Sequence, residues 1–305
     1  MKKSVFLLIL NFNSGSVTTE CLESVKQLDV RGVDLNVVVV DNASTDNSLL
    51  SINELTSSRV KVIKNQANLG FAGGNNVGIR YALENDADWV FLLNQDTEIA
   101  KKALVRLIEA AQKDKKAGIL SPKIYFSEGY EFHRERYSKE ERGKVFWYAG
   151  GLMDWQNVIS QHRGVDEVDR GQYDQVEETE FVSGCAMLIK REVLEKIRGF
   201  DEKYFLYYED ADFCQRANQA GFKLLFVPQA KVWHKNLGTG TSGQPLQDYY
   251  LTRNRLLFGW RWAGLKTRLA LLKESGKLLF KGRSSQKKAV RDFYLRRFGK
   301  GSYET

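Results

Sequence analysis

The chain has 305 residues, 43% of them hydrophobic and 12% aromatic, which supports a sizeable core and excludes global disorder. That length fits about two domains, or one large domain with an appendage. The net charge of +8 is unevenly placed: residues 253–305 hold 15 Lys/Arg against 3 Asp/Glu, whereas residues 1–252 hold 31 against 35, so a mildly acidic body carries a strongly basic tail.

Met1–Leu10 begins like a signal peptide, but its apolar run is short, Asn11-Phe12-Asn13 interrupts it and no small-residue cleavage site follows. Val5–Leu10 reads instead as the first strand. Thr18–Leu28 has helical apolar spacing at Cys21, Leu22, Val25 and Leu28. Asn36–Asp41 is a second buried strand ending on a carboxylate. A turn of helix-capping residues, Asn42–Ser48, leads to a helix from about Asp46 to Leu55. Val60–Ile63 is the third strand. The glycine-rich stretch Asn68–Asn76 follows, and then a helix through Val77, Ile79, Tyr81, Ala82 and Leu83. Trp89–Leu93 is a fourth buried strand that ends abruptly in Asn94-Gln95-Asp96, and Lys101–Gln112 is a further helix. Strand and helix alternate through short loops, so the first 120 residues read as a parallel, doubly wound α/β unit.

Ile119–Phe126 reads as another strand, after which the alternation stops. Residues 127–176 read as hairpins in an ordered excursion from the core. Glu180–Ile189 is strand-like but broken by Ser183-Gly184-Cys185. Asp201–Tyr208 is an aromatic loop. Glu209–Ala220 is a helix that stops at Gly221. Phe222–Val227 is a strand ended by Pro228, followed by Val232-Trp233-His234. Cys21, Cys185 and Cys214 show neither metal-site spacing nor a disulfide framework, which suits a reducing cytosol. No run approaches the roughly 18–20 apolar residues of a membrane span. Residues 247–280 interleave Trp260, Trp262, Leu265, Leu269, Leu272 and Leu279 with seven Lys/Arg. Three readings fit: a helix on an anionic membrane surface, a nucleic-acid contact, or a helix packed on the core with a solvated basic face.

The chemistry-bearing residues fall at strand and helix ends. In open α/β sheets ligands sit beyond the carboxyl ends of strands, where this chain carries Asn11 and Asn13, Asp41, and Asp96. Asp41 is placed to accept hydrogen bonds from a ribose or base, or else to form a turn into Asn42–Ser44. Asp96 is placed to hold a divalent cation, or else to start a turn. Gly70, Gly73 and Gly74 allow backbone to approach a ligand. No G-x-G-x-x-G follows the first strand and no Walker A sequence is present, so simple dehydrogenase and P-loop readings fall. In Glu209-Asp210-Ala211-Asp212, the two aspartates point differently on a helix, so one of them is free to be a general base while the cluster also suits the helix dipole. His234, one of three histidines, is placed to complete with Asp96 a mixed His/Asp site for Mn2+ or Mg2+, or else to be a structural or exposed histidine.

The order of these motifs resembles the GT-A-fold family 2 glycosyltransferases. Val39–Asp46, Asn68–Gly78, Leu93–Asp96, Ser183–Ile189, Tyr208–Arg216 and Trp233-His234 carry the resemblance, over roughly residues 4–260. The subgroup looks like bacterial rhamnosyltransferases of cell-surface polysaccharide synthesis. The resemblance implies an α/β GT-A fold with a mostly parallel central sheet, helices on both faces and basic amphipathic C-terminal helices. It implies a nucleotide-sugar-binding half (1–120), an acceptor-binding and catalytic half of the same domain (121–245) and a basic helical region (246–305).

It further implies inverting, metal-dependent transfer from a dTDP- or UDP-sugar, with dTDP-rhamnose preferred, to a lipid-linked or saccharide acceptor. Asn13, Asp41, Asn68, Gly70, Phe71, Asn75, Asn94 and Gln95 would bind the donor. Asp96 and His234 would hold Mn2+ or Mg2+. Asn94 stands where the family's D-x-D has its first carboxylate, so only Asp96 binds as an anion. Asp210 matches the catalytic base. Ser183, Gly184 and Glu209 would meet the acceptor. Arg253 would pair with phosphates or acceptor as the loop Gly238–Thr241 closes. The expected setting is cytoplasmic and peripheral, with the basic tail on an anionic membrane and no nucleic acid bound. A sugar nucleotidyltransferase normally begins with a Gly-rich, Lys/Arg-bearing loop for a triphosphate, which Leu10–Ser16 does not provide, and an inactive carbohydrate- or membrane-binding protein would not need Asp96, Asp210 and His234 together.

Overall fold

A computed structural model describes residues 2–54, 60–237 and 244–303. In chain order the first half comprises β1 (Lys3–Asn11), α1 (Gly15–Lys26), β2 (Val33–Asp41), α2 (Ser48–Glu54), β3 (Val60–Lys64), α3 (Gly70–Glu84), β4 (Trp89–Leu93), β5 (Thr97–Ile99), α4 (Ala103–Lys113) and β6 (Ala117–Phe126). The second half comprises β7 (Phe146–Tyr148), β8 (Gly151–Asp154), β9 (Ile159–His162), β10 (Glu177–Glu178), β11 (Ala186–Lys190), α5 (Arg191–Ile197), α6 (Glu209–Gln219) and β12 (Lys223–His234). Three helices close the chain: α7 (Pro245–Trp262), α8 (Leu265–Lys281) and α9 (Ser284–Tyr294).

One sheet runs β10-β12-β6-β11-β4-β1-β2-β3. β1 to β4 pair in parallel, as do β6 and β12, and antiparallel β11 joins the two blocks. The run of apolar residues in β1, β2 and β4 is buried on both faces, as parallel strands between helices require. Phe6, Leu8 and Leu10 of β1 meet α3 at Tyr81, Gly78 and Gly74. Residue 120 lies inside β6, so the sheet passes through the expected boundary between halves without a break.

Several expected elements shift, each for a physical reason. The glycine-rich stretch is not a loop: α3 begins at Gly70, because a helix without side chains at Gly74 and Gly78 can lie directly on the sheet. A Cβ on Gly74 would stand 2.5 Å from a Leu10 methyl. The strand at Phe222 does not stop at Pro228. β12 continues to His234, and the proline falls where the register shifts between Val227 and Lys231, so its missing N–H breaks no ladder bond. α2 begins at Ser48, two residues later than expected, and the basic tail breaks at Ala263-Gly264 into α7 and α8. The excursion is pinned by Lys123. Its buried ammonium donates to Asp169 (2.8 Å) and Asp174 (2.6 Å), the pairing that a buried charge needs.

Substituting Gly74→Val should lower stability by about 1–3 kcal/mol, the cost of overpacking a tight core. Chemical denaturation measures this, and an unchanged midpoint would mean that α3 does not need its close seat on β1.

Candidate active site

The chain leaving β4 turns at Asn94-Gln95-Asp96, and β5 then pairs with the end of β12, setting Thr97 opposite His234. That turn brings Asp96 to His234: Oδ1 lies 3.1 Å from Nε2. The other carboxylate oxygen accepts from the Leu237 N–H at 2.9 Å, and the Asp96 carbonyl accepts from Lys235 N–H. Both side chains are buried. Burial pushes the Asp96 carboxyl up, but the hydrogen bond and charge of His234 and the Leu237 amide together hold it below the usual carboxylate range.

A carboxylate oxygen and an imidazole nitrogen at this separation suit one divalent cation. Among the described residues no group of three or more His, Cys, Asp or Glu gathers for a metal. An ion held here would therefore draw its remaining oxygens from ligand or water, as at Mg2+–phosphate sites. His234 Nδ1 is buried and meets no partner among the described residues, so the usual outer-shell carbonyl or carboxylate is missing. The Trp147 ring, edge-on at 4.5 Å, braces the imidazole instead. Nothing in the sequence pointed to Trp147, because its strand lies in the irregular excursion.

The Ser183-Gly184-Cys185 turn precedes β11, which lies beside β4. The Asn94 N–H donates to the Cys185 carbonyl at 2.8 Å, and the Gly184 N–H donates to Asp210 at 3.0 Å. The buried Cys185 thiol is pushed well up, first by burial and then by the charges of Asp96 and Asp210. The turn that carries Asp96 and the candidate base thus each hold one residue of the same dipeptide. The Phe71 ring lies 3.0 Å from where a Gly184 Cβ would stand, so any larger residue would meet it. Ser183 is buried and its hydroxyl accepts from the Cys185 N–H.

Asp210 and Asp212 are now distinguished. Asp212 is fully buried and accepts from Arg216, Arg261, Trp262 and Tyr204, so it is a structural anchor. Asp210 is partly accessible and, among the described residues, accepts from the Gly184 and Ala211 amides. Loss of surrounding water raises its carboxyl above the ordinary range, against the pull of those amides. Glu209 is buried with one carboxylate oxygen unpartnered among the described residues. Burial, then the neighbouring Asp210 charge, pushes it well up.

On the donor edge, Asp41 is fully buried and accepts from Asn11 Nδ2 (2.8 Å) and Ser44 N–H (3.1 Å), which is the turn reading. Asn13, in the left-handed region, accepts from the Thr45 N–H, and Gln95 accepts from the Phe12 N–H. These bonds tie the loops after β1, β2 and β4 into one rim. Asn68 and Gly70 meet Asn42, whose amide donates to the Asn68 side chain and the Gly70 carbonyl and whose oxygen accepts from Asn65 and Leu69. Asn42 was missed as a hub, although its place after a strand-end aspartate was a usable signal. Asn75 is turned inward, donating to the Phe71 carbonyl.

Arg253 is a correction. It is fully buried, and its guanidinium donates to the carbonyls of Lys203, Tyr204 and Arg297, the Tyr249 hydroxyl and the Asn254 side-chain oxygen, so its donors are taken up inside the fold. The loop Gly238–Thr241 lies outside the described residues.

Residues 6–198 match the family model described as Glycosyl transferase family 2. The chain belongs to glycosyl transferase family 2. Residues 172–236 also match the model described as N-terminal domain of galactosyltransferase. This family 2 chain is 28% identical over 212 residues to the N-acetylglucosaminyl-diphospho-decaprenol L-rhamnosyltransferase of Mycobacterium tuberculosis, covering 66% of each chain, so it spans just under two thirds of that relative. It is 24% identical over 265 residues to dTDP-rhamnosyl transferase RfbF of Shigella flexneri, covering 84% of this chain and 80% of that one. GalNAc-T7, solved with UDP, GalNAc and Mn2+, superposes with a TM-score of 0.70 at 19% identity, covering 96% of this chain and 55% of that chain. S. aureus TarS 1-349 superposes at 0.58 and 17%, covering 96% and 79%. These likenesses show the fold, which is of the GT-A type expected.

The raised Glu209 carboxyl has a measurable consequence. The folded chain keeps a proton there that the unfolded chain releases near pH 4.3, roughly the ordinary glutamate value, so stability falls as pH rises through that interval. Glu209→Gln should match wild type below about pH 4 and exceed it increasingly toward neutral pH. Melting temperatures against pH test this, and a difference that does not vary with pH would refute it.

Proposed function

We propose that this chain is an inverting, metal-dependent glycosyltransferase. It moves a sugar from a nucleotide diphosphate donor, rhamnose from dTDP-rhamnose by preference, to a lipid-linked or saccharide acceptor in cell-surface polysaccharide synthesis. The observation that carries this reading is the buried Asp96–His234 pair, with Asp210 held by the Gly184 N–H next to Cys185, whose carbonyl takes the Asn94 N–H. The names of the decaprenol L-rhamnosyltransferase and of the dTDP-rhamnosyl transferase support the donor and acceptor classes.

Asp96 and His234 would hold Mn2+ or Mg2+, which when bound neutralises charge on the departing nucleotide diphosphate. Asp210 takes the proton from the acceptor hydroxyl as that oxygen bonds to the anomeric carbon. The bond from that carbon to the donor phosphate oxygen breaks, and its electron pair leaves with the diphosphate. A single displacement from the opposite face inverts the anomeric centre. The raised Asp210 carboxyl is a stronger base than an ordinary aspartate, and the Gly184 N–H fixes its direction. The rim of Asn13, Asn94 and Gln95 takes the nucleotide, with Asp41 shaping it from beneath through Asn11 and Ser44, and with Asn68, Gly70 and Phe71, braced by Asn75, forming the far wall. Ser183, Gly184 and Glu209 line the acceptor side.

A thermal-shift panel of UDP- and dTDP-sugars with Mn2+ or Mg2+ tests the site, since a bound donor raises stability by mass action. The shift should vanish in His234→Ala and persist in Asp210→Asn. Turnover in Asp210→Asn should fall at least ~10²-fold, the scale of general-base catalysis. Unchanged turnover would remove Asp210 from the mechanism.

The acceptor class calls for a membrane surface, and the exposed face of α8 suits one on its cytoplasmic side. Leu265, Leu269 and Phe280 are 73%, 58% and 82% exposed. Lys266, Lys273, Lys277 and Lys281 share that face by helical spacing. No described helix is long and apolar enough to cross a membrane, so the contact is peripheral. Vesicles containing phosphatidylglycerol should sediment with the protein at low salt. They should release it at about 1 M salt, where the screening length is about 3 Å, and the variant Lys273→Glu/Lys277→Glu should bind less. Equal sedimentation of that variant would sink the assignment.

A further inference from the structure

The segment between Lys203 and Glu209 leads straight into the candidate base. Phe205, Tyr207 and Tyr208 all lie in the left-handed region, with φ of 60°, 68° and 72°. Three aromatic residues in that region within four positions persist only where the surroundings over-determine them. α6 opens on Tyr208 with no side-chain cap, so its own sequence does not fix where its first turn begins.

The surroundings that fix it belong to α7. The Asn254 amide donates to the carbonyls of Tyr204 (2.7 Å), Leu206 (2.8 Å) and Tyr207 (2.9 Å). Arg253 donates to the carbonyls of Lys203 (3.1 Å) and Tyr204 (3.2 Å), and its Nε donates to the Asn254 side-chain oxygen (3.0 Å), orienting that amide. Both side chains are completely buried. Arg253 is flanked by the Tyr249 and Tyr250 rings, and among the described residues no carboxylate bonds it. A guanidinium buried without a carboxylate is costly, and a fork of donors is what gathers several carbonyls at once. The same strap reaches the donor side: the Phe205 carbonyl accepts from the Phe71 N–H (2.7 Å) and the Ala72 N–H (3.3 Å), in the first turn of α3.

We infer that Arg253 and Asn254 are positioning residues that hold residues 203–208 in this left-handed path, so that the first turn of α6 sets Asp210 on the Gly184 amide. The inference rests on Asp210 being the base. Neither residue touches the reacting atoms. Their effect passes through the backbone to the first turn of α6 and to the start of α3.

Asn254→Ala tests it, with Arg253→Lys as a second variant that keeps the charge and loses the fork. Both should unfold cooperatively and bind UDP or dTDP with Mn2+ within about threefold of wild type. Turnover of dTDP- or UDP-sugars per nucleotide-binding molecule should fall about 10- to 100-fold, the scale of a misplacement near 1 Å. Trypsin should cut after Lys203 faster than in wild type. An Asn254→Ala protein within twofold of wild-type turnover overturns the inference. So does one whose turnover falls only as its nucleotide-binding fraction falls, since that is loss of fold and not of position. Wild-type protein inactive on every donor overturns the base reading along with it, whereas active wild type with an unaffected variant overturns this inference alone.

Discussion

The contact between Asp96 and His234 sets the geometry on which the site depends. The two residues are 138 positions apart and follow strands separated in the sheet by β11 and β6. They meet because the chain turns at once after β4 and runs β5 antiparallel to the end of β12. A carboxylate and an imidazole buried together must be paired, since either alone would lose its water without compensation. The same pairing closes the carboxyl edge of the sheet, with Leu237 and Lys235 folded back onto Asp96.

The acidic residues around this edge differ in chemistry because their surroundings differ. Asp96 stays below the usual carboxylate range, since His234 and an amide outweigh its burial. Asp210 is raised because only amides oppose its burial. Environments that separate two carboxylates in this way assign them separate roles: the ionised one suits a cation, the raised one suits proton transfer. Asp212, two residues on, is surrounded by Arg216, Arg261, Trp262 and Tyr204 and belongs to the packing of α6 on α7.

The C-terminal helices serve two surfaces. One face of α7 is buried and carries Arg253 and Asn254, which hold the aromatic loop, while Asp248, buried too, pairs with Arg283. α8 buries only Leu271 and Ser275 and leaves its basic, apolar-tipped face to solvent. The mixture of tryptophan, leucine and arginine that looked uniform along residues 247–280 is therefore sorted. Trp262 binds Asp212, while Leu265, Leu269 and Phe280 face outward.

Much of this protein follows from local pattern. Apolar runs ending in polar residues located β1, β2 and β4 and the crevice beyond them, because a buried parallel strand has to be apolar on both faces. Asp96, His234, Asp210 and the Gly184 turn were legible as chemistry at element ends. Other features depended on contacts distant in sequence. Glycines that read as a ligand loop became a helix seat only because Leu8 and Leu10 lie beneath them. Asp41 carries the same side chain in either reading, but Asn11 and Ser44 enclose it. Arg253 read as a phosphate ligand, because charge suggests solvent or substrate until its burial is known. By itself, then, the sequence determined the family, the strands of the parallel sheet and the polar residues that stand at their carboxyl ends. The tertiary structure alone decided which carboxylate remained accessible and which arginine became a brace, because desolvation and hydrogen-bond partners are properties of the packed surroundings.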